Sequence, residues 1–194
     1  MSGSDDVQPE DAQLVAAVLA GDNRAFGSLV ERYQDRLYNT LVRFTGSRHD
    51  AGDVVQDAFV QALVKLDTFR GDAQFYTWLY RIAMNLALSQ RRRRRPVVSV
   101  EEIKDRAGEE PVASQTSPDQ NLIQHERAQL VQQALLCLGD DHRQILVLRE
   151  MESCSYEQIS EILDLPVGTV RSRLFRARLL LKEQLQIVFQ NEKP

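Results

Sequence analysis

Between Gly168 and Lys182 the chain carries Arg171, Arg173, Arg176, Arg178 and Lys182 with no acid among them. Wound at about 100° per residue, Val170, Leu174, Ala177 and Leu181 fall on one narrow apolar stripe. Arg171, Ser172, Phe175, Arg176 and Arg178 fall on the other side. A helix divided this way lies on a core with one face and presents unmixed positive charge with the other, whereas a merely solvated face normally mixes signs. Arginine can pair bidentately with guanine, and apolar groups can meet a thymine methyl, so such a face suits the DNA major groove. The residues just before it supply a partner helix. Ser155-Tyr156-Glu157-Gln158 fits a capping box, Ile159, Ile162 and Leu163 form an inner face, and Asp164-Leu165-Pro166 ends the helix ahead of a proline. Together the two segments read as a helix-turn-helix. Ile145, Leu146 and Leu148 mark another helix upstream, so the motif belongs to a small all-helical unit.

Helical periodicity also fills most of residues 10–95. Leu14, Val15, Val18 and Leu19 recur at helical spacing up to a break at Gly21-Asp22. Phe26, Leu29, Val30, Tyr33, Leu37, Leu41 and Val42 carry a second helix to Gly46. A third is expected over about Asp50 to Leu66 and a fourth over about Gln74 to Arg95, with Gly71-Asp72 in the turn between them. Residues 96–118 differ in kind: Pro96, Gly108, Pro111 and Pro118 occur among Ser, Thr and acids with little periodicity, which reads as a flexible acidic linker. Fully extended at about 3.3 Å per residue, it spans roughly 75 Å. Periodicity returns through Leu122, Ile123, Leu130, Val131, Leu135 and Leu138. The expectation is an all-α chain of two small helical domains, 10–95 and 119–190, joined by that tether.

The fourth helix is the second informative region. Phe75, Leu79, Ile82 and Leu86 share an apolar stripe with Trp78 at its edge, and Tyr76 and Tyr80 lie off it beside Thr77, Arg81 and Met84. Rings flanked by cations suit unpaired bases, each of which offers a π face. Tyrosines at a domain boundary, with rings buried and hydroxyls wet, explain the same pattern. Arg91-Arg92-Arg93-Arg94-Arg95 then extends this acid-free helix into a dense cationic end, fitted to phosphate.

The formal net charge of −4 conceals this distribution. Five acids and no Lys or Arg precede Arg24, whereas six arginines and no acid lie between Ala73 and Arg95. The pattern points to a polyanion at two places. Cys137 and Cys154 are too few for a disulfide scaffold or a cysteine zinc site, and Cys137, within an apolar run, is expected to be buried. His49, His125 and His142 lack metal-ligand spacing. No metal, cofactor, membrane span or signal peptide is expected. Phosphate-binding loop, zinc-protease and serine-hydrolase motifs are missing, so neither an enzyme nor a small-molecule substrate is expected.

Four segments, taken in order, resemble the extracytoplasmic-function (ECF) sigma factors of bacterial RNA polymerase, a branch of the sigma-70 family. They are Gly21-Asp22 through Ala25-Phe26 with Tyr33-Gln34; Asp53-Val54-Val55-Gln56-Asp57-Ala58-Phe59; Phe69-Arg70-Gly71-Asp72 running into Phe75 through Asn85; and Ser155 to Ile159 with Pro166 to Arg173. The likeness is to the envelope-stress type. It implies that 10–95 is sigma domain 2 and that 119–190 is sigma domain 4. It further implies polymerase contact by Asp53, Gln56, Asp57 and Phe59, although an ordinary amphipathic helix would place Phe59 in the core. Capture and opening of the −10 promoter strand is implied for Phe69, Arg70, Gly71, Asp72, Tyr76, Tyr80, Arg81 and Asn85. Reading of the duplex −35 element is implied for Arg171, Ser172, Phe175, Arg176 and Arg178. The implied partners are core RNA polymerase, promoter DNA and an anti-sigma factor, and the implied location is the cytoplasm. Two places depart from the family pattern. Ser153-Cys154 stands where relatives of this type commonly carry Gly-Leu, and Ser160 where a small alanine is usual. A conventional helix-turn-helix regulator is the rival reading; it leaves Asp53–Asn85 without a task.

Overall fold

The computed structural model describes residues 7–94 and 118–191, so the expected tether lies outside the described residues apart from Pro118. Among the described residues every regular element is helical, as expected. They divide into two compact units, one built from 7–41 and 49–94 and the other from 42–48 and 118–191.

The first unit contains α1 (Val7–Leu19), most of α2 (Asn23–Thr45), α3 (Arg48–Val64), a 3-10 turn (Leu66–Thr68) and α4 (Phe75–Arg94). Gly21, at φ +102°, makes the break after α1, and the Asp22 carboxylate accepts the Arg24 N–H at 3.0 Å to start α2. Leu29, Leu37, Val54, Ala58, Ala62, Leu79, Tyr80 and Ala83 are fully buried between the helices. Phe26 and Phe59 meet edge to face at 6.3 Å and join α2 to α3. Tyr33 lies 5.7 Å from Phe75 and 5.5 Å from Tyr76, ring to ring, and joins α2 to α4. α1 is fastened by charge: buried Asp11 accepts from the Tyr33 hydroxyl and from Arg32 Nη1 at 2.7 Å, and Arg32 Nη2 reaches Glu10 at 2.7 Å.

The buried face of α4 is rotated by about 80° from the stripe expected on helical spacing. Tyr76, Tyr80, Ala83, Met84 and Ala87 join Phe75 and Leu79 inside, whereas Ile82 and Leu86 are only half-buried. Aromatic area outweighs aliphatic spacing here, because each buried ring removes more apolar surface from water than a leucine does.

The second unit contains α5 (Pro118–Leu136), α6 (Asp140–Leu146) with a π turn (Val147–Met151), α7 (Tyr156–Leu163) and α8 (Val167–Asn191). Arg143 is 0% exposed. It donates to the carbonyls of Leu135 (2.8 Å), Leu136 (2.6 Å) and Leu138 (2.8 Å), which lie at and just beyond the end of α5. These include carbonyls that a helix end cannot satisfy by itself. The capping box forms as expected: Ser155 N–H donates to Gln158 Oε1 at 2.8 Å, and Gln158 N–H to Ser155 Oγ at 3.1 Å. Cys137 corrects the sequence reading. It lies one residue past the end of α5 and is exposed, because the helix stops before its apolar run does. Cys154 is the buried one.

Both departures from the family pattern acquire a local reason. Ser153 sits at φ +55°, a left-handed conformation that glycine adopts without steric cost. The Ser160 hydroxyl donates to the Leu165 carbonyl in the turn, a bond alanine cannot make. Ser153→Gly is therefore expected to stabilise the protein by about 0.5–1 kcal/mol, seen as a higher urea midpoint at an unchanged m value.

Burial and Asp11 push the Tyr33 phenol far above its ordinary value of 10.0. The folded chain thus holds this proton more tightly than the unfolded chain does. Stability from this site is complete below about pH 10 and falls as pH rises beyond it. Tyr33→Phe is expected to flatten that alkaline loss in unfolding curves recorded between pH 8 and pH 11.

Candidate nucleic-acid and polymerase surfaces

In the second unit, α7 ends on Asp164 in the left-handed conformation (φ 52°). Pro166 then receives the Thr169 and Val170 N–H groups at 2.8 and 3.0 Å, which starts α8. Val170, Leu174 and Ala177 are buried against α5, α6 and α7, as their spacing predicts, and Leu181 is half-buried. The opposite side exposes Arg171, Ser172, Phe175 and Arg176, with Phe175 65% exposed. A phenyl ring so exposed beside guanidinium groups has no role in the core of this unit.

The basic residues of α8 are not equivalent. Arg173 reaches Asp141 at 3.3 Å, and Arg178 donates to Glu150 from Nε and Nη2 at 3.0 and 2.7 Å. These pairs tie the helix to α6 and the π turn. Arg171 and Arg149 approach the Tyr156 ring, 5.8 and 5.0 Å from its centroid, within cation–π range. Arg149 is itself fixed by a 2.6 Å bond to the Cys154 carbonyl. Beside them the Glu157 carboxyl is held below the usual carboxylate range by its own backbone N–H and the Ser155 hydroxyl, then by Arg171 and Arg149. In the sequence Tyr156 and Glu157 stand out only as part of the capping box, and Arg149 not at all. Only the turn geometry brings them beside Arg171, and no spacing signal marks them.

In the first unit, Phe69 is half-buried, edge-on to Phe75 at 5.7 Å and 5.3 Å from Trp78. Arg70, Gly71 and Asp72 are exposed, and Gly71 has φ +76°, a left-handed conformation that favours glycine. Arg81 and Asn85 are exposed one turn apart on α4, and Arg92 lies on the same side. Tyr76 and Tyr80 are corrections. They are 7% and 0% exposed, and the Arg36 guanidinium covers the Tyr76 ring at 3.9 Å. Neither ring face is available to a base; both belong to the core.

Phe59 is a correction of the same kind, since its ring packs on Phe26 and is 6% exposed. Asp53, Gln56 and Asp57 do share an outward face of α3, with His49 3.7 Å from Asp53. That face continues into Val60 and Val64, 63% and 75% exposed, with Leu63 exposed at its edge. The sequence carries a signal for this face: beyond its buried residues α3 has Val60, Leu63 and Val64, more apolar residues than one buried face needs.

Family comparisons agree with both units. A model of sigma-70 region 2 matches residues 29–97, and one of sigma-70 region 4 matches residues 128–181. The chain belongs to the ECF sigma factors of the sigma-70 family. This sigma factor is 44% identical to the RNA polymerase sigma-H factor of Pseudomonas aeruginosa, covering 92% of this chain and 95% of that one. It is 42% identical to the ECF RNA polymerase sigma-E factor of Escherichia coli K12, covering 92% and 96%. Among solved structures it is similar to CnrH in complex with the cytosolic domain of CnrY, with a TM-score of 0.65 and 29% identity over 93% of this chain and 97% of that one. It is also similar to the sigma factor RpoE in complex with the anti-sigma factor NepR from Bartonella quintana, with a TM-score of 0.63 and 28% identity over 84% and 97%. The activity is that of the class: directing core RNA polymerase to promoters at transcription initiation.

Burial separates structural from surface residues on α4. Tyr80→Ala is expected to cost about 3–5 kcal/mol of stability. Arg81→Ala and Asn85→Ala should stay within about 0.5 kcal/mol. Urea unfolding of the three variants checks this.

Proposed function

We propose a division of labour between the two units of this sigma factor. Residues 10–95 act as sigma domain 2: the outward face of α3, with Asp53, Gln56, Asp57, Val60, Leu63 and Val64, seats the chain on core polymerase. The polar positions fix register and the exposed valines and leucine supply apolar area. Phe69, Arg70, Gly71 and Asp72 form the loop that receives a base flipped from the −10 strand, with Arg81 and Asn85 beside it. Residues 119–190 act as sigma domain 4. Arg171, Ser172, Phe175 and Arg176 read the duplex −35 element, and Arg178, paired with Glu150, lies at the phosphate edge. Supporting this is the exposure of Phe175 between guanidinium groups on a helix whose other face buries Val170, Leu174 and Ala177.

The chain makes and breaks no covalent bond in this scheme. Each flipped base costs a few kcal/mol, offset by pocket contacts and the polymerase. The two solved relatives were captured with CnrY and with the anti-sigma factor NepR, which supports an anti-sigma factor as a partner of this chain too. Work with core polymerase and promoter DNA places its action in the cytoplasm; no helix among the described residues is long and apolar enough to cross a membrane.

Run-off transcription by bacterial core polymerase from a pool of candidate promoters tests the whole scheme. Specific transcripts from fixed start sites are expected only when the protein is present. A cognate core that works with a control sigma but gives none here would favour a conventional helix-turn-helix regulator. Arg176→Ala is expected to weaken −35 binding by about 1–3 kcal/mol at one base position, read by gel shift across single-base substitutions. Val64→Glu should lower core affinity at least about tenfold in sigma competition, since it buries a charge against an apolar partner.

A further inference from the structure

α1 lies ahead of the matched sigma-70 region, which begins at residue 29, yet its polar face is tied into the core of the first unit. The Asp11 carboxylate is buried and must have donors at hand. The Tyr33 hydroxyl and Arg32 Nη1 supply them. Those bonds fix where α1 sits and also where the Tyr33 ring sits. From that ring a continuous aromatic relay runs outward. Tyr33 is 5.7 Å from Phe75, Phe75 is 5.7 Å from Phe69 and 5.8 Å from Trp78, and Phe69 is 5.3 Å from Trp78. α1 also touches the 3-10 turn Leu66–Thr68, which leads directly into Phe69. The loop is therefore approached from α1 twice, through its leading turn and through the rings beneath it.

A loop that receives an unstacked base works best when its shape exists before the base arrives, because order imposed on binding subtracts from affinity. Arg70, Gly71 and Asp72 are exposed, and Phe69 is the residue that reaches inward. We propose that Asp11 and Tyr33 are positioning residues for the Phe69–Asp72 loop, bracing it from α1 through Phe75. The functional consequence rests on the assignment of that loop to −10 capture; the structural brace does not.

Trp78 is the only tryptophan in the chain and touches both Phe69 and Phe75, so its emission reports the loop without DNA or polymerase. In the full chain, Tyr33→Phe and Asp11→Asn should each raise acrylamide quenching of Trp78. The double variant should add little to either, as expected of two halves of one interaction. Val54→Ala, a change at a fully buried position on α3 that is not one of the relay residues, serves as the control for general destabilisation and should quench as wild type does. Quenching unchanged in both brace variants, or raised equally by Val54→Ala, would overturn the proposal. With core polymerase, permanganate reactivity of −10 thymines should fall about tenfold in the brace variants, the scale of one charge-assisted hydrogen bond (roughly 1.4 kcal/mol). Core affinity and −35 duplex binding should not change. Wild-type opening with undiminished opening in the variants counts against the brace. If the wild-type protein itself opens no promoter, the −10 assignment fails, and Trp78 quenching alone decides the brace.

Discussion

A guanidinium with no access to solvent organises the second unit. Arg143 sits where α5 ends and α6 begins, and its donors meet the carbonyls of Leu135, Leu136 and Leu138. An all-helical unit must turn sharply between helices, and every turn strands backbone carbonyls that the interior cannot leave unpaired. One side chain with several donors in a fixed fork resolves a whole turn at once. α5 and α6 are thereby held as the platform on which α8 lies, and α8 takes its orientation from them. Removing that guanidinium would leave those carbonyls without their donor, so the exposed face of α8 depends on a residue buried beneath it.

Charge is sorted on the same principle around α8. Arg173 and Arg178 are paired with acids of α6 and the π turn, whereas Arg171 lies near an aromatic ring and Arg176 points outward. Exposed pairs of this kind add little stability by themselves. Their effect is on geometry, because each limits how far the helix can roll on its apolar stripe. A basic helix that could roll would present a smeared charge to DNA, sufficient for phosphate but not for base edges.

In the first unit the deciding quantity is aromatic area. Tyr33, Phe75, Tyr76 and Tyr80 pull α4 round so that its tyrosines face inward. That leaves Arg81, Asn85 and Arg92 in one outward line. Phe69 closes the ring cluster from the loop side. α3 keeps apolar groups on both sides, one set buried in the core and one, Val60, Leu63 and Val64, exposed.

Much of this was legible in the sequence. Period, capping residues and glycine breaks determined the helices nearly to their ends. The spacing of Val170, Leu174 and Ala177 determined which side of α8 is buried and left Arg171, Ser172, Phe175 and Arg176 exposed on the other. These are local properties, fixed within a few turns of one helix. What the sequence left open were contacts between helices. Tyr76, Tyr80 and Phe59 look equally fit for a surface or a core; Phe26 of α2 packs on Phe59, Tyr33 and Arg36 of α2 pack on Tyr76, and Tyr80 is buried beside Tyr76. Cys137 belongs to an apolar run whose helix ends one residue too soon. The partners of Arg173, Arg178 and Asp11 lie about 20 or more residues away in sequence, beyond any periodicity. Amphipathic period specifies that a helix has an inside; which residues occupy it is decided by the shape and charge of the helices it meets.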